Sequence, residues 1–161
     1  MAPDIDILLE RLRIEQFFAD YVQCIDQDKL ELWPDFFTED CIYGIWPREN
    51  WEAGLPIPLL LCNNRKMIED RVLSHREANI FAPHVYRHLY SGIQVQSREN
   101  GALAVLSNYL VLQTLQDGET GIYQAGRCFD RLVTVDGAFK FAERKVVYDT
   151  SRVQTLLATP I

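Results

Sequence analysis

Asp136-Gly137 stands between two runs of alternating apolar residues, with Phe129, Leu132, Val133 and Val135 before it and Phe139, Phe141, Val146 and Val147 after it. Both central residues of a type I′ turn need positive φ, a demand that Asp and Gly meet cheaply. The stretch from Tyr123 to Asp149 is therefore expected to form one long antiparallel hairpin. It carries Gly126-Arg127 at one end and Glu143-Arg144-Lys145 at the other, so charge is patterned along it as well as hydrophobicity.

The same period of two extends upstream to Tyr86. Leu89 to Val95 reads as a strand, Asn100-Gly101 as a turn, Ala102 to Leu115 as a long strand and Asp117-Gly118 as a second turn. The front of the chain has a different rhythm. Leu8, Leu9, Leu12, Phe17, Phe18, Tyr21, Val22 and Ile25 recur near helical spacing, which predicts an amphipathic helix from about Asp4 to Asp26. A short second helix is expected over Asp28 to Phe37, with Leu30, Trp33 and Phe37 inward and Pro34 kinking or restarting it. Cys41 to Trp46 alternates as a strand that Pro47 ends, and Arg48 to Pro58 is broken by Gly54, Pro56 and Pro58. Asn64 can cap a third helix running to about Glu77, with Met67, Ile68, Arg71 and Val72 on its inner stripe. Helices first and antiparallel strands after predict an α+β fold, a strongly curved meander holding three N-terminal helices against its concave face: an open cone. There is no internal repeat or linker, so residues 1 to 161 are expected to be one domain.

Composition narrows the function. With 161 residues, 48% of them apolar, the chain can bury roughly two-thirds of its unfolded surface without disulfides or metal. A net charge of −7 argues against a nucleic-acid partner, which demands clustered Lys and Arg. The start, Met1-Ala2-Pro3-Asp4, lacks the basic and apolar regions of a signal peptide, and no window approaches the apolar length of a membrane span. Cys24, Cys41, Cys62 and Cys128 stand at unrelated spacings, which fits reduced thiols in a cytoplasm.

The residues that can carry chemistry are few. No glycine-rich phosphate loop, CxxC pair or Gly-x-Ser-x-Gly elbow occurs. His84 and His88 are four apart and would share a metal on a helix, but Pro83 and the strand-like run from Leu89 oppose helical geometry. A Rieske cluster needs two Cys and two His, and here no Cys has a His within several residues; no metal is expected on this chain. Asp26, Tyr21, Tyr43, Arg87, His88, Tyr109 and Tyr148 form the group of most interest. In a cone, the end of the first helix faces the concave sheet, so Asp26 can meet His88. Such a pair, with Tyr43 polarising a carbonyl, is what a dehydratase or isomerase uses. It is equally an internal ion pair of Asp26 with Arg87 or His88, tying helix to sheet. Trp46 and Trp51 mark a possible partner surface or simple packing, and Glu143-Arg144-Lys145 reads as a solvated or cross-strand-paired face.

Taken in order, several segments resemble one family. They are Tyr21-x-x-x-Ile25-Asp26, Trp33…Phe37-Thr38-Glu39-Asp40…Tyr43, Arg71-Val72 and Tyr86-Arg87-His88-Leu89. The hairpin Gly126-Arg127…Asp130-Arg131-Leu132…Asp136-Gly137…Glu143-Arg144-Lys145-Val146-Val147…Asp149 completes the set. The chain resembles the small (β) subunit of Rieske non-haem-iron aromatic-ring-hydroxylating dioxygenases over nearly its whole length. Trp33-Pro34-Asp35-Phe36-Phe37, Pro47-Arg48-Glu49-Asn50 with Gly54-Leu55-Pro56, and Arg76-Glu77-Ala78-Asn79-Ile80 are most similar to β subunits acting on aromatic carboxylates: salicylate, anthranilate and terephthalate oxygenases. The resemblance implies a cystatin-like cone (nuclear-transport-factor-two-like, SnoaL-like) and a non-catalytic, structural role in aromatic catabolism. It places the Rieske iron–sulfur cluster and Fe(II) on a partner α subunit, with NADH electrons arriving through a separate reductase or ferredoxin. It also implies a β-subunit homotrimer within an α3β3 assembly. A free-standing cone-fold dehydratase or isomerase using Asp26 and His88, or a small-ligand-binding cone, are the competing readings.

Overall fold

The computed structural model describes residues 4–78, 83–150 and 159–161. Asn79 and Ile80, part of one segment carrying the resemblance, lie outside the described residues. Helix α1 spans Ile5–Asp26, its start capped by the Asp4 carboxylate accepting from the Asp6 N–H. Its buried face is Ile14, Phe18, Tyr21, Cys24 and Ile25, the three-and-four spacing of one helical stripe. The first turns differ from expectation: Leu8, Leu9 and Leu12 are exposed, and a cleft of about 690 Å³ separates this end of the helix from Leu103, Leu132 and Phe139 of the sheet. Asp28 adopts φ 56 and ends α1 in the left-handed region. Its carboxylate is gripped at 2.8 Å by Arg76, which also holds Glu31.

The expected second helix is a 3-10 turn, Leu30–Phe36, with Pro34 inside it. Strand β1 follows directly as Phe37–Pro47, and the stretch read as irregular opens with a one-turn helix α2, Arg48–Glu52. After the short strand β2, Leu60–Cys62, helix α3 runs Arg65–Glu77, with the Asn64 side chain accepting from the Met67 N–H at 2.9 Å. Ile68, Val72 and His75 form its buried face, while Met67 remains exposed. Four long strands complete the chain: β3 His84–Glu99, β4 Ala102–Leu115, β5 Thr120–Val135 and β6 Ala138–Tyr148. Asn100 and Gly101 (φ 52 and 76), and Asp136 and Gly137 (φ 51 and 80), are the two-residue positive-φ turns that the dipeptides predict.

The described residues form one six-stranded sheet in the order β2-β1-β6-β5-β4-β3. It is mixed, not wholly antiparallel: β1 pairs parallel to β6, with Ile45 opposite Val146. The meander leaves that edge of β6 open, and β1 closes it. Register shifts bend the strands, most tellingly where Arg131 pairs Glu143 but Leu132 pairs Phe141, leaving Ala142 as an extra residue in β6. Phe141 and Arg144 consequently both turn inward, and both are fully buried. The core under the helices is largely aromatic. Phe17, Phe18, Tyr21 and Phe37 all contact the Phe141 ring at centroid distances of 4.8 to 5.9 Å, each such pair worth about 0.5–1.5 kcal/mol beyond area burial.

Candidate functional site

Two buried polar clusters lie between the helices and the sheet. The first joins the end of α1 to β3. Nδ1 of His88 lies 2.6 Å from Oδ1 of Asp26, and the His88 backbone N–H donates to Oδ2 at 3.0 Å. The side chains are 1% and 6% exposed respectively, so water screens the pair little. An acidic group in the last turn of a helix faces the negative end of the helix dipole; two donors from β3 offset that. A cleft of about 500 Å³ opens beside the pair, lined by Asp26, His75, His84, Tyr86 and Thr159.

The second cluster centres on Arg144, in a segment whose sequence reads as a solvated or cross-strand-paired face. The structure shows the cross-strand pairing and corrects the solvated alternative for Arg144, which is fully buried; Glu143, paired with both Arg131 and Lys145, lies on the outer face. Cross-strand register puts Arg144 opposite Asp130, and Nη1 donates to Oδ2 at 2.8 Å with neither side chain exposed. Nη2 donates to the Tyr90 hydroxyl, and Cys128 Sγ lies 3.6 Å away. The guanidinium sits over the rings of Tyr21, Phe141, Tyr90 and Phe18 at 4.5 to 5.7 Å, attraction that is strongest where water is excluded. Burial drives the Asp130 carboxyl up to about 7, with Arg144 opposing only in part, and Oδ1 has no hydrogen-bond partner. Burial works against the charge on Arg144, but Asp130 and the surrounding hydroxyls hold it well above its usual range. Burial also pushes the Tyr21 hydroxyl up to about 12 and Tyr43 and Tyr90 well above 10, so all three stay neutral donors.

The other predicted residues divide between these clusters and elsewhere. Tyr21 and Tyr43 belong with Arg144: both hydroxyls meet the main chain of Ile161. Tyr43 is thereby engaged away from Asp26 and His88. Arg87 takes no part in the pair. It alternates to the opposite face of β3 from His88, is exposed, and donates to the carbonyl of Tyr86. Tyr109 is buried and donates to Gln124 at 2.9 Å, while Tyr148 is buried at the end of β6. Trp46 lies on β1, 9% exposed, its ring 5.7 Å from Trp51, which stacks on Phe129 at 5.0 Å. The tryptophans thus pack on the sheet's outer side, and the exposed apolar residues nearby are Leu55, Ile57, Leu59 and Leu61.

His84 and His88 lie on a strand, about 13 Å apart at 3.3 Å per residue, too far to share an ion. Among the described residues no group of three or more His, Cys, Asp or Glu is arranged to hold a metal. All four cysteines are buried and free, and burial pushes Cys24, Cys41 and Cys128 up to about 11 or 12, unlike the lowered values of metal-ligating thiols. Nothing in these donor sets fits an iron–sulfur cluster or a mononuclear iron. No helix among the described residues is long and apolar enough to cross a membrane.

Comparison with known proteins places this geometry. The SnoaL-like domain family matches residues 6–145. The chain is 48% identical, over 88% of its length and 88% of the relative's, to the anthranilate 1,2-dioxygenase small subunit of Burkholderia cepacia. It is 33% identical to a β subunit of the terephthalate 1,2-dioxygenase terminal oxygenase component of Comamonas, over 96% of this chain and 100% of that one. Among solved structures, a β subunit assigned to an aromatic-ring-hydroxylating dioxygenase of Novosphingobium aromaticivorans superposes with a TM-score of 0.88. It is 39% identical, over 96% of this chain and 99% of that one.

Proposed function

This chain belongs to the SnoaL-like domain family and, within it, to the small subunits of aromatic-ring-hydroxylating dioxygenases, and from that premise we propose that it serves as the structural β subunit of a multicomponent Rieske oxygenase acting on an aromatic carboxylate. The observation that carries the reading is the 48% identity to an anthranilate 1,2-dioxygenase small subunit across 88% of both chains. The Rieske cluster and Fe(II) belong to the α subunit in this proposal, and NADH electrons reach them through a reductase. The assembly is α3β3, and this chain's four free thiols suit the reducing cytoplasm. This chain's own contribution is a stiff cone that holds its partner in place.

A cone-fold dehydratase or isomerase built on Asp26 and His88 has less support. The Asp26 carboxylate is held by both the His88 ring and the His88 backbone, and the Tyr43 hydroxyl is engaged by Ile161. The test is reconstitution. Mixed with its cognate α subunit, the chain should co-elute as a defined complex. Alone it should bind less than a tenth of an equivalent of iron. Iron at one equivalent per chain, or dehydratase turnover by the isolated chain, would refute the proposal.

A further inference from the structure

The first turns of α1 stand clear of the sheet, and the space beneath them is the cleft of about 690 Å³. Its floor is laid across three strands: Phe139 on β6, Leu132 on β5 and Leu103 on β4, with Leu132 fully buried and Leu103 nearly so. Leu9, on α1 and exposed, forms part of the roof. Two arginines close the sides, reaching across in opposite senses. Arg98 on β3 donates to Glu10 of α1, and Arg13 of α1 donates at 2.9 Å to the Gly137 carbonyl in the β5–β6 turn. The anchor strands β3 and β6 are three strand spacings apart in the sheet, about 14 Å. An enclosed space of this size with an apolar floor and a few polar groups fits the usual form of a small-molecule site, roughly 300–1,000 Å³.

The two sides differ in chemistry. The Arg98 guanidinium is neutralised by Glu10. Among the described residues Arg13 has no carboxylate partner: its bond goes to a carbonyl, and its guanidinium carbon lies 5.2 Å from the centre of the Phe139 ring. A guanidinium carries five N–H donors, and only one of these is engaged within the chain. Arg13 can therefore donate to an acceptor placed on the floor beside Phe139. The charges of the lining decide what kind of acceptor. Asp6, Glu10 and Glu99 stand against Arg13 and Arg98, three anions to two cations, so the cleft offers no net attraction to an anion. A cation would meet Arg13. The floor itself is one face of a sheet with a ring at one end, which a flat molecule covers best.

We propose that this cleft binds a neutral, flat, largely apolar molecule that carries one hydrogen-bond acceptor, its rings on Leu132 and Leu103 and its acceptor on the Arg13 guanidinium. A two-ring aromatic ketone is the simplest example. This goes beyond the subunit reading and does not depend on it, since the cleft lies wholly within one chain.

The probe is 6-propionyl-2-(dimethylamino)naphthalene, a neutral ketone whose emission moves to the blue on leaving water. Titrated with the full chain, it should bind at one equivalent per chain. It should be displaced by 2-acetylnaphthalene about tenfold more readily than by 2-ethylnaphthalene, which has the same shape and no acceptor, as expected of a hydrogen bond to a charged donor. The anion 2-naphthoate should displace it less well than the ketone does. Arg13→Met removes the donors from an exposed position and should bring the ketone and the hydrocarbon to within about twofold of each other. Leu9→Ser, on the roof, should weaken both alike. The near-ultraviolet circular dichroism of buried Trp33 reports whether each variant is folded, and Arg13→Gln, read by the same displacement, replaces Arg13→Met if that variant is not. Absence of saturable binding, a ketone preference that survives the loss of Arg13, or displacement by naphthoate as ready as by the ketone overturns the proposal.

Discussion

Asp130→Asn tests the buried ion pair most directly, because asparagine keeps the shape of the side chain and the acceptor for Arg144 while removing the titration. Burial raises the Asp130 carboxyl from 3.8 to about 7. A carboxyl raised on folding stabilises the native state while protonated. That contribution is complete below the unfolded value near 4 and is lost as pH climbs towards 7. The loss runs at about 1.4 kcal/mol per pH unit, so between pH 5 and pH 7 the unsubstituted chain should give up roughly 2–3 kcal/mol at this one residue. Other groups titrate too; Glu143, lowered chiefly by Lys145, acts in the opposite sense, but below this window. They cancel in the difference between variant and parent. Urea unfolding of both chains at half-unit steps from pH 5 to pH 8 should therefore show Asp130→Asn gaining on its parent steadily up to pH 7 and levelling off above it. A difference that is flat across the window would mean that Arg144 keeps the carboxylate ionised throughout, and would refute the assignment.

Asp26→Ala should cost about 3–5 kcal/mol in urea unfolding, because it strips His88 of its partner inside the protein; a loss below 1 kcal/mol would show the pair to be dispensable. Gly126→Ala should cost about 3 kcal/mol, the upper end for overpacking, since a Cβ there would stand 2.0 Å from the Val147 carbonyl oxygen on the paired strand. Gly121→Ala, where a Cβ meets nothing within 4 Å, is the control and should be near neutral. By light scattering at tens of micromolar, the isolated chain should run as a trimer, covering apolar residues such as Leu89 and Ile122 that remain exposed on the sheet. A clean monomer that does not change on adding the α subunit would exclude that assembly.

The turns were legible because Asn-Gly and Asp-Gly have one cheap conformation in a hairpin, and Asn64 was legible because a helix start needs a side-chain acceptor. Asp26 and His88 could be brought together from sequence, since a long helix crossing a curved sheet fixes where its last turn lies. Arg144 could not. Counting by twos from Phe139 and Phe141 puts it outward, and only the extra residue Ala142 turns it in. The signal that was available is the count backwards from Tyr148 and Val146, both buried, which lands on Arg144. The parallel pairing of β1 with β6 was equally hidden, because it depends on a free edge in three dimensions and not on any local pattern. Ile161 left no trace at all, since its contacts run through the main chain.

A buried ion pair is a poor way to gain stability, since hydrophobic residues of similar volume commonly do as well or better. The Asp130–Arg144 pair therefore needs another reason for its place at the centre of the cone. Its geometry supplies one. Arg144 reaches β5 through Asp130, β3 through Tyr90 and the tail through Ile161, while its face covers Tyr21 on α1. One guanidinium thus sets the relative positions of helix, sheet and tail by directional bonds, where an apolar side chain would allow several packings of near-equal energy. A subunit whose task is to present a fixed surface gains from that definition. The expected signature is a double variant, Asp130→Leu with Arg144→Met, that keeps near-native stability because both partners are replaced but holds Ile161 less firmly, read as faster amide exchange at Ile161. If exchange there stayed unchanged, Arg144 would be filling space and nothing more.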